Sequence, residues 1–261
     1  MTRTSPWLAC RLRRPDARVR LFCFPHSGGS AGEYLRWADL LENVEVWGVQ
    51  LPGRGARTEE PPLTRVSVLV DALADALVDA LALGPPFAFF GHSLGALVAF
   101  ETARRLRDLG RAPPAWLFLS AYPAPQLPSR TQPTSHLGEA PLLDALERMY
   151  GDMAAEIRED AELRELLLPP LRADLALVES YRYQDGEPLD CEMVITGGTQ
   201  DDLGPDALEP WRRHTRGTFR VHLLPGGHFY LRAPQQRDTL LRLLDATLRP
   251  SHTSSPKDLH P

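Results

Sequence analysis

The sequence predicts an α/β protein built on a mostly parallel central sheet, and three observations carry that prediction. From Val19 onward, short apolar runs bounded by glycine and proline alternate with longer segments of helical period, the pattern of strands joined by crossover helices. The balance of 43% apolar and 24% charged residues suits a globular chain with an ordinary core. The 261 residues fit one large domain, read here as 1–250, interrupted by a long insertion.

Taken in order, 19–24 is a continuous apolar run and reads as a buried strand; 44–50 is the next, with a helix over 33–41 between them. A helix over 67–83 places Val70, Leu73, Ala74, Leu77 and Leu81 on one face, takes Ser67 as its N-cap and ends at Gly84-Pro85-Pro86. Strand 87–90 then runs through a tight turn into helix 94–109, where Leu97, Phe100, Ala103 and Leu106 recur at helical spacing. Strand 116–121 follows. The alternation then fails until strand 192–197, so about 122–190 is an insertion, opening with proline-rich 122–133 and continuing through helical pieces 142–150, 153–168 and 171–183. Structureless loops of that length are rare in compact domains, which predicts a helical lid over a site. Strand 218–223 and helix 235–248 close the fold, and 251–261 is polar and proline-bearing, the composition of a disordered tail.

Several chemistries are excluded at this stage. With 29 Lys+Arg against 34 Asp+Glu the formal charge is -5, so no basic field gathers nucleic acid. Lys257 is the only lysine, which removes Schiff-base and P-loop lysine chemistry from the folded part. Cys10, Cys23 and Cys191 lack CxxC spacing, so neither a disulfide framework nor a cysteine zinc site is indicated. The arginine-rich 1–20 has no apolar signal core and no run approaches the roughly 18 apolar residues of a membrane span, so a cytoplasmic location is expected. There is no HExxH, and Gly53-Arg54-Gly55 lacks the third glycine of a dinucleotide fingerprint; no cofactor and no metal are expected.

The strongest local signal is Gly91-His92-Ser93-Leu94-Gly95, a GxSxG pentapeptide between a predicted strand and a predicted helix. A serine on such a turn sits in a strained conformation that needs small flanking residues, which Gly91 and Gly95 supply, and its hydroxyl is expected to stand exposed above the sheet. A serine hydroxyl is a weak nucleophile at neutral pH, so it needs a base and a carboxylate to orient that base. In this topology the chain order is serine, acid, histidine. His228 follows a strand in a Pro225-Gly226-Gly227 turn and fits the base. Asp201 follows strand 192–197 in a glycine loop and fits the acid, with Asp202 as its rival. His222 lies inside a strand and reads as a core or surface residue. For an oxyanion hole, the Leu94 N–H comes first, and the glycine-rich turn Phe24-Pro25-His26-Ser27-Gly28-Gly29 offers the Ser27 N–H, with Gly28 as an alternative. His26 reads as a residue that fixes this turn by hydrogen bonding, and His92 as one that packs beneath the elbow.

Together with Leu51-Pro52-Gly53-Arg54, Trp211 and Gly227-His228-Phe229, these motifs resemble the type II thioesterases, stand-alone α/β-hydrolases that serve polyketide and nonribosomal peptide synthases. The likeness runs from about Trp7 to Leu248. It implies an α/β-hydrolase fold, a catalytic set of Ser93, Asp201 and His228, oxyanion donors Ser27 and Leu94, and a lid over an acyl channel. It also implies a substrate acyl group carried on the phosphopantetheine of an acyl or peptidyl carrier protein, with editing of stalled or misprimed synthases as the role. Members often carry proline directly after the acid, whereas Asp202 stands there in this chain. Two other readings are a general carboxylesterase or lipase of the same fold and a catalytically idle hydrolase-fold binding module. Matched oxygen esters separate the first, and covalent labelling by a fluorophosphonate separates the second.

Overall fold

Seven strands form one sheet in the order β1-β3-β2-β4-β5-β6-β7, described in a computed structural model that covers residues 5–81, 84–129, 132–150 and 157–249. The strands are β1 (Leu8–Ala9), β2 (Val19–Phe24), β3 (Val44–Val49), β4 (Phe87–His92), β5 (Trp116–Ser120), β6 (Glu192–Gly198) and β7 (Phe219–Leu224). All pair in parallel except β1, which joins β3 antiparallel at the edge. The predicted α/β class and mostly parallel sheet are therefore observed.

Because side chains alternate across a strand, each apolar run feeds two cores at once. Phe22 and Phe24 of β2 join Phe89, Leu117 and Ile195 on one face, covered by α2 (Val66–Leu81) and α3 (Leu94–Asp108). Leu21 and Cys23 point the other way, to Phe90, Phe118 and Val194, with Trp37 and the terminal helix 234–248 over them. Cys23 and Cys191 are buried free thiols, and burial raises the pKa of both.

Three local expectations are corrected. The helix expected over 33–41 is a single turn, α1 (Gly32–Leu35), followed by a 3-10 turn over Arg36–Asp39. Ser67 lies inside α2 rather than capping it, since the Leu69 N–H already donates to the Arg65 carbonyl. The two helices expected on either side of Pro169-Pro170 are one, α5 (Ala161–Ser180), preceded in the insertion by α4 (Glu139–Tyr150). Each proline removes a ladder donor, yet Leu168, Leu171 and Leu175 pack with Leu142, Leu143 and Leu146 into a third small core, which holds both halves of α5 in line. The two-residue strand β1 carried no periodicity to detect. The predicted helix start at Met153, the end of the helix over 67–83 and the tail 251–261 lie outside the described residues. Among the described residues, no helix is long and apolar enough to cross a membrane.

Since β2 through β7 are parallel, their carboxyl ends share one edge of the sheet, and the loops leaving β2, β4, β6 and β7 meet there. After β6 come a short helix, α6 (Pro205–Leu208), and a 3-10 segment over Glu209–His214; after β7 comes α7 (Pro234–Leu248).

Candidate active site

Ser93 joins β4 to α3 with φ 55° and ψ −123°, a backbone conformation that residues other than glycine rarely adopt. The turn is tight because two glycines let backbones touch. A Cβ on Gly91 would lie 2.1 Å from the Gly95 carbonyl oxygen, and one on Gly95 2.1 Å from that of Phe24. The Ser93 N–H donates to the Ser120 carbonyl at 2.8 Å, which locks the bend to β5. Its hydroxyl makes no capping bond to α3, so the serine is not there to start the helix. The residue as a whole is 8% exposed.

His228 and Asp201 meet across the loops after β7 and β6. The His228 Nδ1 donates to Asp201 Oδ2 at 2.9 Å, and both side chains are largely buried. Asp202 points to solvent instead. The acidic loop is held in place by backbone bonds from Thr199 to Leu224 and from Gln200 to Gly226, while a Cβ on Gly198 would collide with the Gly226 and Gly227 carbonyls at 2.3 Å. Close backbone contact between these two loops is what brings residues 27 positions apart into hydrogen-bond range.

The site is joined to the elbow through His92, whose ring centroid lies 5.3 Å from that of His228. His92 is fully buried on a polar row that follows the sheet register: His92 pairs with Ser120 across β4 and β5, and Ser120 with Thr196 across β5 and β6. His92 Nδ1 lies 2.8 Å from Ser120 Oγ, Ser120 Oγ lies 2.8 Å from the Tyr230 hydroxyl, and Tyr230 donates to Thr196 Oγ1 at 2.8 Å. Tyr230 has one proton to give, so it accepts from Ser120, and Ser120 accepts from His92. That direction fixes the proton of His92 on Nδ1. Burial, followed by the charges of His228, His26 and Arg232, holds the His92 pKa well below the ordinary histidine value. His92 therefore places a neutral ring beside His228. Sequence reasoning placed His92 beneath the elbow but missed this hydroxyl row, whose members are scattered over four elements.

The glycine-rich turn after β2 lies across the same edge. Gly28 adopts φ +77° and the Gly29 N–H returns to the His26 carbonyl at 2.9 Å, closing a turn whose third position needs glycine. His26 fixes it as expected, with Nδ1 2.9 Å from the Ser27 carbonyl and Nε2 2.9 Å from Glu33. Burial works to raise the Glu33 pKa, but its hydrogen bond to His26 and the charges of His26 and Arg232 bring it below the ordinary value. The Gly28 N–H donates to Asp174 of the insertion at 2.8 Å, so it is already committed. Leu94 begins α3, and its N–H belongs to the first helical turn, whose donors have no partner inside the helix. A groove of about 440 Å³ runs from Ser27 and Gly28 toward Leu163, Leu167 and Leu171 of α5, with Arg232 at one side; Ser93, Asp201 and His228 are not part of its lining.

Comparison with known proteins bears on the family and the fold. The family model for the thioesterase domain matches residues 19–248. The protein named linear gramicidin dehydrogenase LgrE, from Brevibacillus parabrevis, is 42% identical over 254 residues, covering 95% of each chain. Among solved structures, the RedJ thioesterase from the prodiginine biosynthetic pathway in Streptomyces coelicolor superposes with a TM-score of 0.82 at 37% identity, covering 91% of this chain and 90% of RedJ. BorB, the type II thioesterase from the borrelidin biosynthetic cluster, gives 0.80 at 34% identity over 93% of this chain and 96% of its own. With the strained elbow, the parallel sheet and a family match across nearly the whole chain, this protein belongs to the thioesterase family of α/β-hydrolase enzymes.

Proposed function

We propose that this thioesterase hydrolyses acyl groups from the phosphopantetheine thiol of acyl or peptidyl carrier proteins, as a stand-alone editing enzyme of a polyketide or nonribosomal peptide synthase. The observation that carries the reading is the bond between His228 Nδ1 and Asp201 beside an elbow that holds Ser93 in a strained conformation. Asp201 orients the imidazole and stabilises it when charged; His228 Nε2 takes the Ser93 proton as the hydroxyl oxygen attacks the thioester carbon. The carbonyl π pair moves onto oxygen, where the Leu94 and Ser27 N–H groups receive it. A single donor of this kind contributes about 3 to 4 kcal/mol to the transition state in other hydrolases. Collapse breaks the C–S bond, and the sulfur leaves with the proton held by His228. Water, deprotonated by His228, then cleaves the acyl ester on Ser93, releasing the carboxylic acid and restoring the hydroxyl. The role is supported by relatives named for biosynthetic pathways, RedJ and BorB among them.

The test is to incubate the protein and its Ser93→Ala variant with a panel of acylated carrier proteins and follow deacylation by mass. Wild type should release free acid, and the variant should fold yet release none; turnover in Ser93→Ala would remove the nucleophile assignment. Faster cleavage of matched oxygen esters would favour a general esterase. Failure of a fluorophosphonate to label Ser93 would favour an idle binding module.

A further inference from the structure

Asp174, on the lid helix α5, is 1% exposed and carries three hydrogen bonds. Its Oδ2 accepts from Arg54 Nη1 at 2.5 Å and from the Gly28 N–H at 2.8 Å, and its Oδ1 accepts from Arg54 Nη2 at 2.7 Å. Arg54 is itself 5% exposed, also reaches the Gly29 carbonyl at 3.5 Å, and belongs to a loop fixed by Gln50, whose Nε2 donates to the Arg54 carbonyl at 2.8 Å. One residue of the lid thus grips two loops of the sheet edge.

The grip falls on the center of the turn that carries Ser27. The peptide joining Ser27 to Gly28 is a rigid plane, and both of its ends are held: the N–H by Asp174 and the carbonyl by the His26 ring at 2.9 Å. The Ser27 N–H lies on the preceding peptide, so what this grip fixes is the position of the whole turn, with Gly28 at φ +77°, on which that donor is carried. A second contact from α5 reaches the same point, because Leu171 Cδ1 lies 3.4 Å from where a Cβ on Gly28 would stand. Leu171 and Asp174 are three apart in α5 and so share the face that rests on the turn. Two adjacent buried charges are not the arrangement that packing alone would select, since an apolar pair of similar volume fills such a space at no electrostatic cost.

We propose that Asp174 is a positioning residue for acyl transfer: through Arg54 and the Gly28 N–H, the seating of lid helix α5 sets the turn that presents the Ser27 N–H, so the oxyanion hole is complete only while the lid is seated. This rests on the reading of Ser27 and Leu94 as oxyanion donors. The role differs from simple stabilisation in what it moves. It acts on the tetrahedral state, in which the carbonyl oxygen carries charge, and not on ground-state binding.

The test compares wild type with Asp174→Asn on an acyl-pantetheine thioester and measures inhibition by an alkyl trifluoromethyl ketone. In that inhibitor the Ser93 oxygen adds to the ketone carbon, the carbonyl pair moves onto oxygen and the proton goes to His228, so the adduct occupies the hole. The asparagine keeps the shape but loses the charge and one acceptor. Expected are a 10- to 100-fold fall in kcat, KM within threefold, and a matching loss in ketone affinity, with thermal stability within a few degrees of wild type. Should Asp174→Asn fail to fold, Arg54→Lys keeps the charge and loses the paired geometry, and should show a smaller loss with the same division between kcat and KM. Unchanged kcat and ketone affinity, or a loss confined to KM, overturns the proposal. An inactive Ser93→Ala beside a fully active Asp174→Asn would leave the catalytic reading standing and remove only this inference.

Discussion

Gly95 rests against the Phe24 carbonyl so closely that a Cβ there would stand 2.1 Å from the oxygen. The first turn of α3 is thereby seated on the end of β2, which ties the elbow bearing Ser93 to the turn bearing Ser27. Both atoms are backbone, so neither can swing aside to admit a methyl group. Gly95→Ala is expected to cost about 3 kcal/mol or more, enough to threaten folding. Gly227→Ala is the matched control, because nothing lies within 4 Å of its added carbon; its stability should change by less than about 0.5 kcal/mol. Thermal denaturation of the two variants checks the contrast, and equal midpoints would mean the elbow tolerates more space than its geometry allows.

Asp201→Asn should fold normally and lose about 10³- to 10⁴-fold in kcat, because an amide in place of the carboxylate favours the wrong tautomer of His228 and gives no charge to stabilise the imidazolium. Asp202→Asn removes an exposed carboxylate and should leave the rate within twofold. Steady-state hydrolysis of one acyl-thioester by both variants decides between neighbouring residues. A large loss in Asp202→Asn alone would transfer the role of the acid.

The strands and the elbow were legible because each is encoded locally. A buried parallel strand is a short apolar run, as in 19–24, and the elbow needs glycines at fixed offsets from Ser93. Chain order was enough to place His228 and Asp201 in the loops that meet. Spacing could not choose Asp201 over Asp202, because that depends on which side chain the loop turns inward. The pair Arg54–Asp174 was illegible for a stronger reason. Its members stand 120 residues apart in segments with no shared period, and only the packing of α5 on the sheet edge joins them. Pro169-Pro170 misled in the opposite direction, since a local breaking signal was outweighed by the small leucine core around α5.

The hydroxyl row beneath His92 should act on stability before it acts on rate. Tyr230→Phe removes the proton shared with Thr196 and the acceptor used by Ser120, leaving buried polar groups without partners. The expected cost is about 1 to 3 kcal/mol. The bond between His228 and Asp201 does not involve Tyr230, so kcat should stay within a few-fold of wild type. Denaturant titration read beside thioester turnover separates the two effects; a hundredfold loss of kcat at unchanged stability would move Tyr230 from support of the elbow into the reaction itself.

His214 predicts how the fold responds to acid. Its ring is buried among Phe100, Trp211 and Tyr183, with Nε2 2.6 Å from Gln126 Oε1. Burial, followed by the nearby charges of Arg213 and Arg104, lowers its pKa to about 4. In the unfolded chain a histidine titrates near 6.5, so as pH falls the unfolded state takes up the proton first. The contribution of this residue is therefore fully present above about pH 6.5 and is lost progressively toward pH 4, amounting to roughly 2 to 3 kcal/mol at the lower limit. His214→Gln keeps a donor toward Gln126 but does not titrate. Its unfolding free energy should fall less steeply than that of wild type between pH 6.5 and 4, while the two curves run parallel above pH 7. Equal slopes in the acid range would mean that His214 accepts its proton in the folded state as readily as in water, against the burial and neighbouring positive charge that surround it.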